Sequence, residues 1–218
     1  MAQPAAERTV HVAPERLRRW LDGFNERHGP VTCHSTEHEL TLAGADGALA
    51  TIDLVWGPLP AGTDPLLAVV ESFGRTRRVG VLLVRRRAHA VGIFEGSHLV
   101  AGRHGSHYVQ GRTKAGGWSQ QRYARRREHQ ADRSFASAAT DVATILLPQA
   151  DSLTALITGG DRGAVSAVLA EARFETLRQP RLHTGFGVFA VPDPNATVLA
   201  EFGQRYRAAP IRLNDLAQ

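Results

Sequence analysis

The sequence predicts an α/β protein, built as an α+β mixed sheet, with a smaller α+β subdomain in front of it. Two observations predict this fold class. Three strand-like runs follow one another at short spacing, as in an antiparallel meander, and a long helical pattern comes directly after them. Two further apolar runs then alternate with a second helical pattern. The order β-β-β-α-β-α-β is that of a ribonuclease-H-like core, in which helices cover the faces of a mixed sheet.

Residues 1–62 are expected to form the small N-terminal α+β subdomain. Its helix is predicted from Pro14 to His28, because proline suits a first helical turn and four large apolar side chains recur at helical spacing: Leu17, Trp20, Leu21 and Phe24. Strands are predicted at residues 31–34, 39–42 and 48–55, and the residues rich in glycine and proline at 57–62 are expected to be a linker.

The larger domain is expected at residues 66–192. Its meander is predicted at residues 79–84, 89–94 and 97–101, and its long helix from near Ser119 to Leu147. A strand at 153–158, a helix at 162–177 and a last strand at 185–191 complete the order. Residues 193–218 are expected to add one short C-terminal helix and a loose tail.

The composition excludes several classes of protein. A single cysteine, Cys33, allows no internal disulfide, and it is expected to be a small buried side chain. No apolar run of about 18 residues occurs and the start lacks a signal peptide, so we expect a cytoplasmic protein without membrane contact. Residues 33–39 lack a zinc spacing and residues 159–163 lack a P-loop spacing, so neither a metal nor a cofactor is expected.

The positive charge is concentrated in one segment. The chain carries a formal charge of +5, and between Arg103 and Arg133 eight basic residues stand against two acidic ones, a local net charge of +6. The rest of the chain therefore sums to −1. Such a focused field is typical of a surface that binds phosphates or an acidic partner.

The long predicted helix separates this charge from its apolar residues. At about 100° per residue, one group of arginines lies on one side of the helix and four apolar residues lie on the other. We therefore expect one face to pack on the sheet and the basic face to point outward. The arginines are Arg122, Arg126 and Arg133, and the apolar residues are Phe135, Ala138, Val142 and Leu146.

The segment before this helix combines glycines, charge and aromatic rings. Gly116 and Gly117 are adjacent, which permits close approach of another backbone. Because basic side chains neutralise phosphates and aromatic rings stack on unpaired bases, RNA is the expected ligand; an ordinary loop with solubilising arginines is the alternative. The residues expected to bind RNA are Arg112, Lys114, Trp118, Arg122, Arg125, Arg126 and Arg133.

The run Lys114-Ala115-Gly116-Gly117-Trp118-Ser119-Gln120, placed between a strand meander and a long basic helix, resembles the catalytic loop of the class 1 peptide chain release factors. Their middle domain presents a Gly-Gly-Gln or Gly-x-x-Gln motif on a ribonuclease-H-like fold. The closer resemblance is to the Vms-like release factors, in their compact bacterial, actinobacterial-type form, whose Gly-x-x-Gln motif follows a basic residue. Gly117 and Gln120 match that motif, and the resemblance covers residues 66–192.

The resemblance implies a ribosome-rescue factor that enters the A site of the large subunit and hydrolyses the peptidyl-tRNA ester. The catalytic residues that it implies are Gln120, Gly117 and Gly116, with Gln121 as the alternative glutamine. Its partners would be the ribosome, ribosomal RNA and peptidyl-tRNA, and a monomer is expected. No cofactor is needed, since a neutral amide can position water. The chain length leaves little room for a stop-codon-reading domain, which favours rescue over ordinary termination.

Two other functions remain open at this point. His107, with His104 close to it in sequence, suits acid–base cleavage of RNA through the 2′-OH, so an endonuclease that cuts tRNA near its CCA end is one alternative. A non-catalytic ribosome- or RNA-binding protein that uses the same basic segment is the other. The aspartates at 141, 151 and 161 do not reproduce the carboxylate cluster of a metal-dependent ribonuclease H, so that activity is not expected.

Overall fold

A computed structural model describes residues 8–106 and 134–217 of the chain. The chain divides into two compact units, of which the first comprises Met1–Thr76 with Gln204–Gln218 and the second Arg77–Gly203. Each unit contains one β-sheet with helices, which confirms the predicted mixed α+β class. The division falls between residues 76 and 77, and the expected linker at 57–62 lies inside the first unit.

The sheet of the first unit is antiparallel. Its strands are β1 (Arg8–Val12), β2 (Thr32–Ser35), β3 (Glu39–Ala43), β4 (Leu49–Asp53) and β9 (Ala209–Leu213). They lie in the order β1-β9-β4-β3-β2. Strands β3, β4 and β9 alternate buried side chains with more accessible ones, as expected for a sheet with one covered face.

Strand β9 corrects the expectation of a loose C-terminal tail. It lies between β1 and β4, where Ile211 pairs with Val10 on one side and with Ile52 on the other. Apolar residues stand at every second position of β9, and two of them, Ala209 and Ile211, are fully buried. The strand is therefore held by its two neighbours in the sheet.

Two helices accompany this sheet. Helix α1 (Pro14–His28) has the predicted bounds and buries Leu17, Leu21 and Phe24 on one side. Helix α2 (Pro65–Gly74) was not predicted, although Asp64 accepts a hydrogen bond from the Leu66 amide and proline follows it at the first helical position. An aspartate cap followed by proline is a common sequence signal for the start of a helix. The helix was missed because it is short, and its apolar run resembles that of a strand.

In the sheet of the second unit, strands β5 (Arg78–Arg85), β6 (Ala88–Glu95) and β7 (His98–Ser106) form the predicted meander, and β8 (Ala155–Gly160) pairs with β5 in parallel. The strand order is β7-β6-β5-β8. The last expected strand, at 185–191, is reduced to a parallel bridge between Phe189 and Gly159. Two glycines inside that run and a proline directly after it weaken strand pairing.

Helices cover both faces of this second sheet. Helix α3 is described over residues 134–145, and with α4 (Arg162–Leu169) it packs on the face that carries Leu82 and Val91. Helix α5 (Ala196–Arg205) covers the other face, where its Leu199 lies against the backbone of Gly92 and Gly102.

The apolar stripe predicted for the long helix is confirmed where the structure describes it. Ala138, Val142 and Leu146 are fully buried, and Phe135 is half-buried against the same core. The helix predicted at 162–177 is shorter, because the extended backbone at Glu171 ends it and the chain continues in 3₁₀ turns. Those turns carry Phe174 into the core.

Candidate functional site

The predicted catalytic and RNA-binding residues lie in the segment 107–133, outside the described residues. The structure does describe the two elements that this segment joins, since β7 ends at Ser106 and α3 is described from residue 134. These elements fix where the segment leaves the second unit and where it returns. The residues concerned are Gln120, Gly117, Gly116, Gln121, His107, Arg112, Lys114, Trp118, Arg122, Arg125, Arg126 and Arg133.

Both junctions lie at the same end of the sheet. Ser106 pairs with Ala88, directly after the turn between β5 and β6. Asp141 of α3 contacts His89 at this end, whereas Leu146 lies near Gly80 at the opposite end of β5. Helix α3 therefore runs antiparallel to β7, and we call this end of the sheet the loop end.

Exposed basic side chains border the loop end. Arg86 and Arg87 form the turn between β5 and β6, and Arg162 is the first residue of α4. Arg85 donates to the carbonyl oxygen of Val191 at 3.1 Å and lies beside an aspartate at 193. Asp141, Asp161 and Asp193 also lie at this end, so the described part of the loop end has an excess of arginines over acidic residues rather than a uniform positive charge.

His89 is a polar side chain inside the apolar interface between β6 and α3. Its side chain is fully buried, and Nε2 donates a hydrogen bond to Oδ2 of Asp141 at 2.9 Å. The other ring nitrogen, Nδ1, is buried without a hydrogen-bond partner among the described residues. A hydrogen on Nε2 rather than on Nδ1 fits this geometry, because Nδ1 then has no hydrogen to satisfy.

Arg103 of β7 extends this contact to the surface. Its Nη1 lies 3.5 Å from Oδ1 of Asp141, and its side chain is 55% exposed against 15% for the aspartate. The carboxylate thus receives a buried imidazole on one oxygen and an exposed guanidinium on the other. Three elements, β6, β7 and α3, meet at this one carboxylate at the loop end.

Gly105 allows β7 to approach His89 closely. It pairs with His89 across the sheet, and a Cβ at this position would lie 2.6 Å from Cε1 of the imidazole. Any larger residue would therefore displace the ring from Asp141.

His104, considered with His107 for RNA cleavage, lies on β7 and is exposed. Since successive strand residues point to opposite faces, its side chain does not join Arg103 at Asp141. The other member of that pair, His107, lies outside the described residues, so RNA cleavage by the pair stays a prediction.

The other two aspartates considered for a carboxylate cluster, Asp151 and Asp161, make contacts elsewhere in the fold. Asp161 caps α4 by accepting from the Gly163 amide at 2.9 Å, and Asp151 lies 3.5 Å from Arg181. With Asp141 held by His89, each of the three has a separate structural contact. Within residues 8–106 and 134–217, no group of three or more His, Cys, Asp or Glu side chains is placed to hold a metal ion.

Cys33 is exposed on β2, which corrects the expectation of a buried side chain. Strand β2 is at the edge of the sheet and, among the described strands, pairs with β3 alone, so its residues remain accessible. Partial desolvation raises the pKa of the Cys33 thiol, and the Asp64 carboxylate raises it further. The thiolate is therefore disfavoured at neutral pH, which argues against a nucleophilic role.

Sequence reasoning missed His89 and Arg103 as partners of Asp141. One signal was present, since His89 interrupts an otherwise apolar strand at a position that faces the same helix as Val91 and Ile93. A histidine at such a position is buried and requires a partner. The partner itself lies 52 residues away, and no local pattern indicates it.

Of the helices in the described residues, none combines the length and the apolar character needed to cross a membrane. Comparison with curated proteins finds none that matches. Among solved structures, an archaeal protein is similar at 14% identity and a TM-score of 0.39, over 92% of this chain and 65% of its own. The archaeal translation termination factor aRF1 is similar at 14% identity and a TM-score of 0.41, over 94% of this chain and 68% of its own.

The decisive comparison is with protein families. Residues 77–212 match the family described as the Actinobacteria/chloroflexi VLRF1 release factor. The match begins where the second unit begins and runs into β9. Because it spans more than half of the chain, this chain belongs to the VLRF1 release factor family of actinobacteria and chloroflexi.

Proposed function

We propose that this protein is a ribosome-rescue release factor that hydrolyses the ester between the nascent peptide and tRNA on stalled ribosomes. Membership of a release factor family supports a role in translation termination or rescue. The observation that carries the finer proposal is the location of the Gly-x-x-Gln run, in the segment that joins β7 to α3 at the loop end. A segment supported by a rigid sheet and helix at both junctions suits delivery of one side chain to a distant site.

In the proposed reaction, Gln120 positions the attacking water through its side-chain amide. Backbone N–H groups near Gly116 and Gly117 stabilise the oxyanion that forms at the ester carbonyl. The ribosome already holds the ester, so the work of the factor is orientation of water rather than proton transfer by a strong base. The sequence agrees with this assignment, because no Asp or Glu occurs between Glu95 and Glu128.

The basic side chains of the same segment are proposed to contact ribosomal RNA in the A site of the large subunit, with Trp118 stacking on an unpaired base. The factor is proposed to act as a monomer in the cytoplasm, with peptidyl-tRNA as its substrate and no cofactor.

The products distinguish this proposal from its alternatives. We would incubate the purified protein with stalled ribosome–nascent-chain complexes in which the tRNA is labelled at its 5′ end and the peptide carries a second label. Ester hydrolysis should yield free peptide and tRNA of full length that can be aminoacylated again. Puromycin serves as the positive control, since it shows that the ester is accessible.

Two results would contradict ester hydrolysis. A shortened tRNA, with nucleotides still attached to the peptide, identifies a tRNA endonuclease. Binding to the complexes without any change in tRNA or peptide identifies a non-catalytic ribosome-binding protein.

A further inference from the structure

We propose that His89, Asp141 and Arg103 form a tether that positions the catalytic segment by holding β7 against α3; this inference rests on the proposed function. The tether joins β6, α3 and β7 through one carboxylate, with distances of 2.9 Å to His89 Nε2 and 3.5 Å to Arg103 Nη1. It lies at the loop end, between the two elements that the segment 107–133 connects.

Apolar contacts hold α3 on both sides of Asp141. Ala138 before it and Leu146 after it belong to the apolar core, whose contacts permit small sliding movements at little cost. Asp141 adds a directional hydrogen bond to His89, which fixes both distance and angle. The polar contact thus fixes the position of the helix along the sheet, and a displacement of the helix would be passed on to the catalytic segment.

Burial decreases along the tether from inside to outside. His89 is fully buried, the Asp141 side chain is 15% exposed and that of Arg103 is 55% exposed. The inner bond therefore belongs to the core, whereas the outer ion pair can be broken at the surface without opening the core. Arg103 and Asp141 are the positions at which positioning can be separated from folding.

Gly105 supports the same assignment. Its missing side chain leaves space for the His89 ring directly across the sheet, two residues from Arg103 and one from the end of β7. The strand thereby contacts both ends of the tether immediately before the catalytic segment begins.

The test compares Arg103→Ala and Asp141→Asn with the wild type and with Arg162→Ala, which removes the same charge from an exposed helix start. Peptide release under single-turnover conditions should fall by about 10- to 100-fold in the first two variants, the scale expected for a displaced reacting group. Ribosome affinity and its salt dependence should stay unchanged. Arg103→Lys, which can still pair with Asp141, should recover most of the release rate, and the double variant should lose no more than the stronger single variant.

A second measurement does not depend on peptide release. Amide hydrogen exchange of the free protein should become faster in residues 134–141 of Arg103→Ala and Asp141→Asn, but not in those of Arg162→Ala, while β5 stays protected in all of them. If the wild type releases no peptide, the proposed function fails, and the exchange data still decide whether the tether exists.

Three outcomes would overturn the tether. Wild-type release in both variants shows that the contact does not position the segment. Weaker ribosome binding with a smaller salt dependence in Arg103→Ala identifies Arg103 as a phosphate contact instead. Release that falls only in proportion to the folded fraction, measured by thermal unfolding, identifies a structural role alone.

Discussion

At Gly160 both the backbone conformation and the space around the Cα atom favour glycine. Its φ angle is 100°, in the region that favours glycine, and a Cβ there would overlap the carbonyl oxygen of Val84. Its amide also donates to the carbonyl of Phe189 at 2.7 Å, which continues the sheet beyond β8. The residue thus ends β8 and begins the turn to α4, whose first amides are capped by Asp161.

We therefore predict that Gly160→Ala destabilises the protein by about 3 kcal/mol or more, because backbone strain adds to the steric overlap. Denaturant unfolding measures the change. Gly187→Ala is the matched control, since a Cβ there meets nothing within 4 Å and its φ angle is not in the glycine region. A Gly160→Ala protein as stable as the control would contradict the prediction.

Gln120 is the residue on which the proposed chemistry depends. Replacement by alanine should lower peptide release by about 10² or more, the scale of a lost positioning or oxyanion contact, while ribosome binding stays nearly unchanged. Separate measurements of release rate and of ribosome affinity test this.

Gln121→Ala is the control for that variant, and it should have the smaller effect because the next side chain of the predicted helix turns by about 100°. His107→Ala should release peptide normally if water is positioned by an amide. Full release by Gln120→Ala would falsify the assignment, and an inactive His107→Ala protein would then favour RNA cleavage.

At the scale of elements, α3 is the helix for which the sequence predicted one buried face and one basic face. Its buried stripe was predicted from the sequence and is confirmed over the described residues. The opposite, basic stripe at Arg122, Arg126 and Arg133 lies outside the described residues and stays a prediction.

That stripe predicts the salt dependence of ribosome binding. If about six phosphates are neutralised, affinity should fall by roughly three decades between 50 and 200 mM salt. Replacement of Arg122, Arg126 and Arg133 by alanine should weaken binding and reduce the slope of log affinity against log salt by about 3.

The control for the basic stripe removes three exposed arginines from α1, namely Arg16, Arg18 and Arg19. It changes the net charge equally and should leave the slope close to that of the wild type. Equal slopes in the two triple variants would show that the predicted stripe is an ordinary solvated face.

At the scale of the whole molecule, the first unit is completed by residues from both ends of the chain. Strand β9 lies inside the sheet between β1 and β4, and Arg212 pairs with Glu39 and with Asp53, the latter at 3.0 Å. Burial of the Arg212 guanidinium lowers its pKa, but the hydrogen bonds to Glu39 and Asp53 and the charges of those carboxylates together outweigh that effect, so the pKa lies above its usual value and the group stays charged.

Removal of residues 207–218 should therefore unfold the sheet of the first unit, because two strands lose their shared neighbour and many backbone groups lose hydrogen bonds. Circular dichroism and thermal unfolding measure the loss. Removal of residues 1–7, which precede β1, should leave the unfolding transition close to that of the full chain. A stable, cooperatively folded protein without β9 would contradict this prediction.

The sequence by itself determined the class of fold, the meander, the buried stripe of α3 and the family, because each rests on residues near one another in the chain. Periodicity reports which face of an element is apolar. It does not report which partner covers that face, so the strand character of β9 appeared only in the sheet that contains it. The tether was not predicted for the same reason. The free-energy cost of burying His89 is offset by its hydrogen bond to Asp141, and Gly105 leaves space for the ring, but both residues lie on other elements. Contacts between distant residues depend on the packing of the whole chain, and only the tertiary structure decides them.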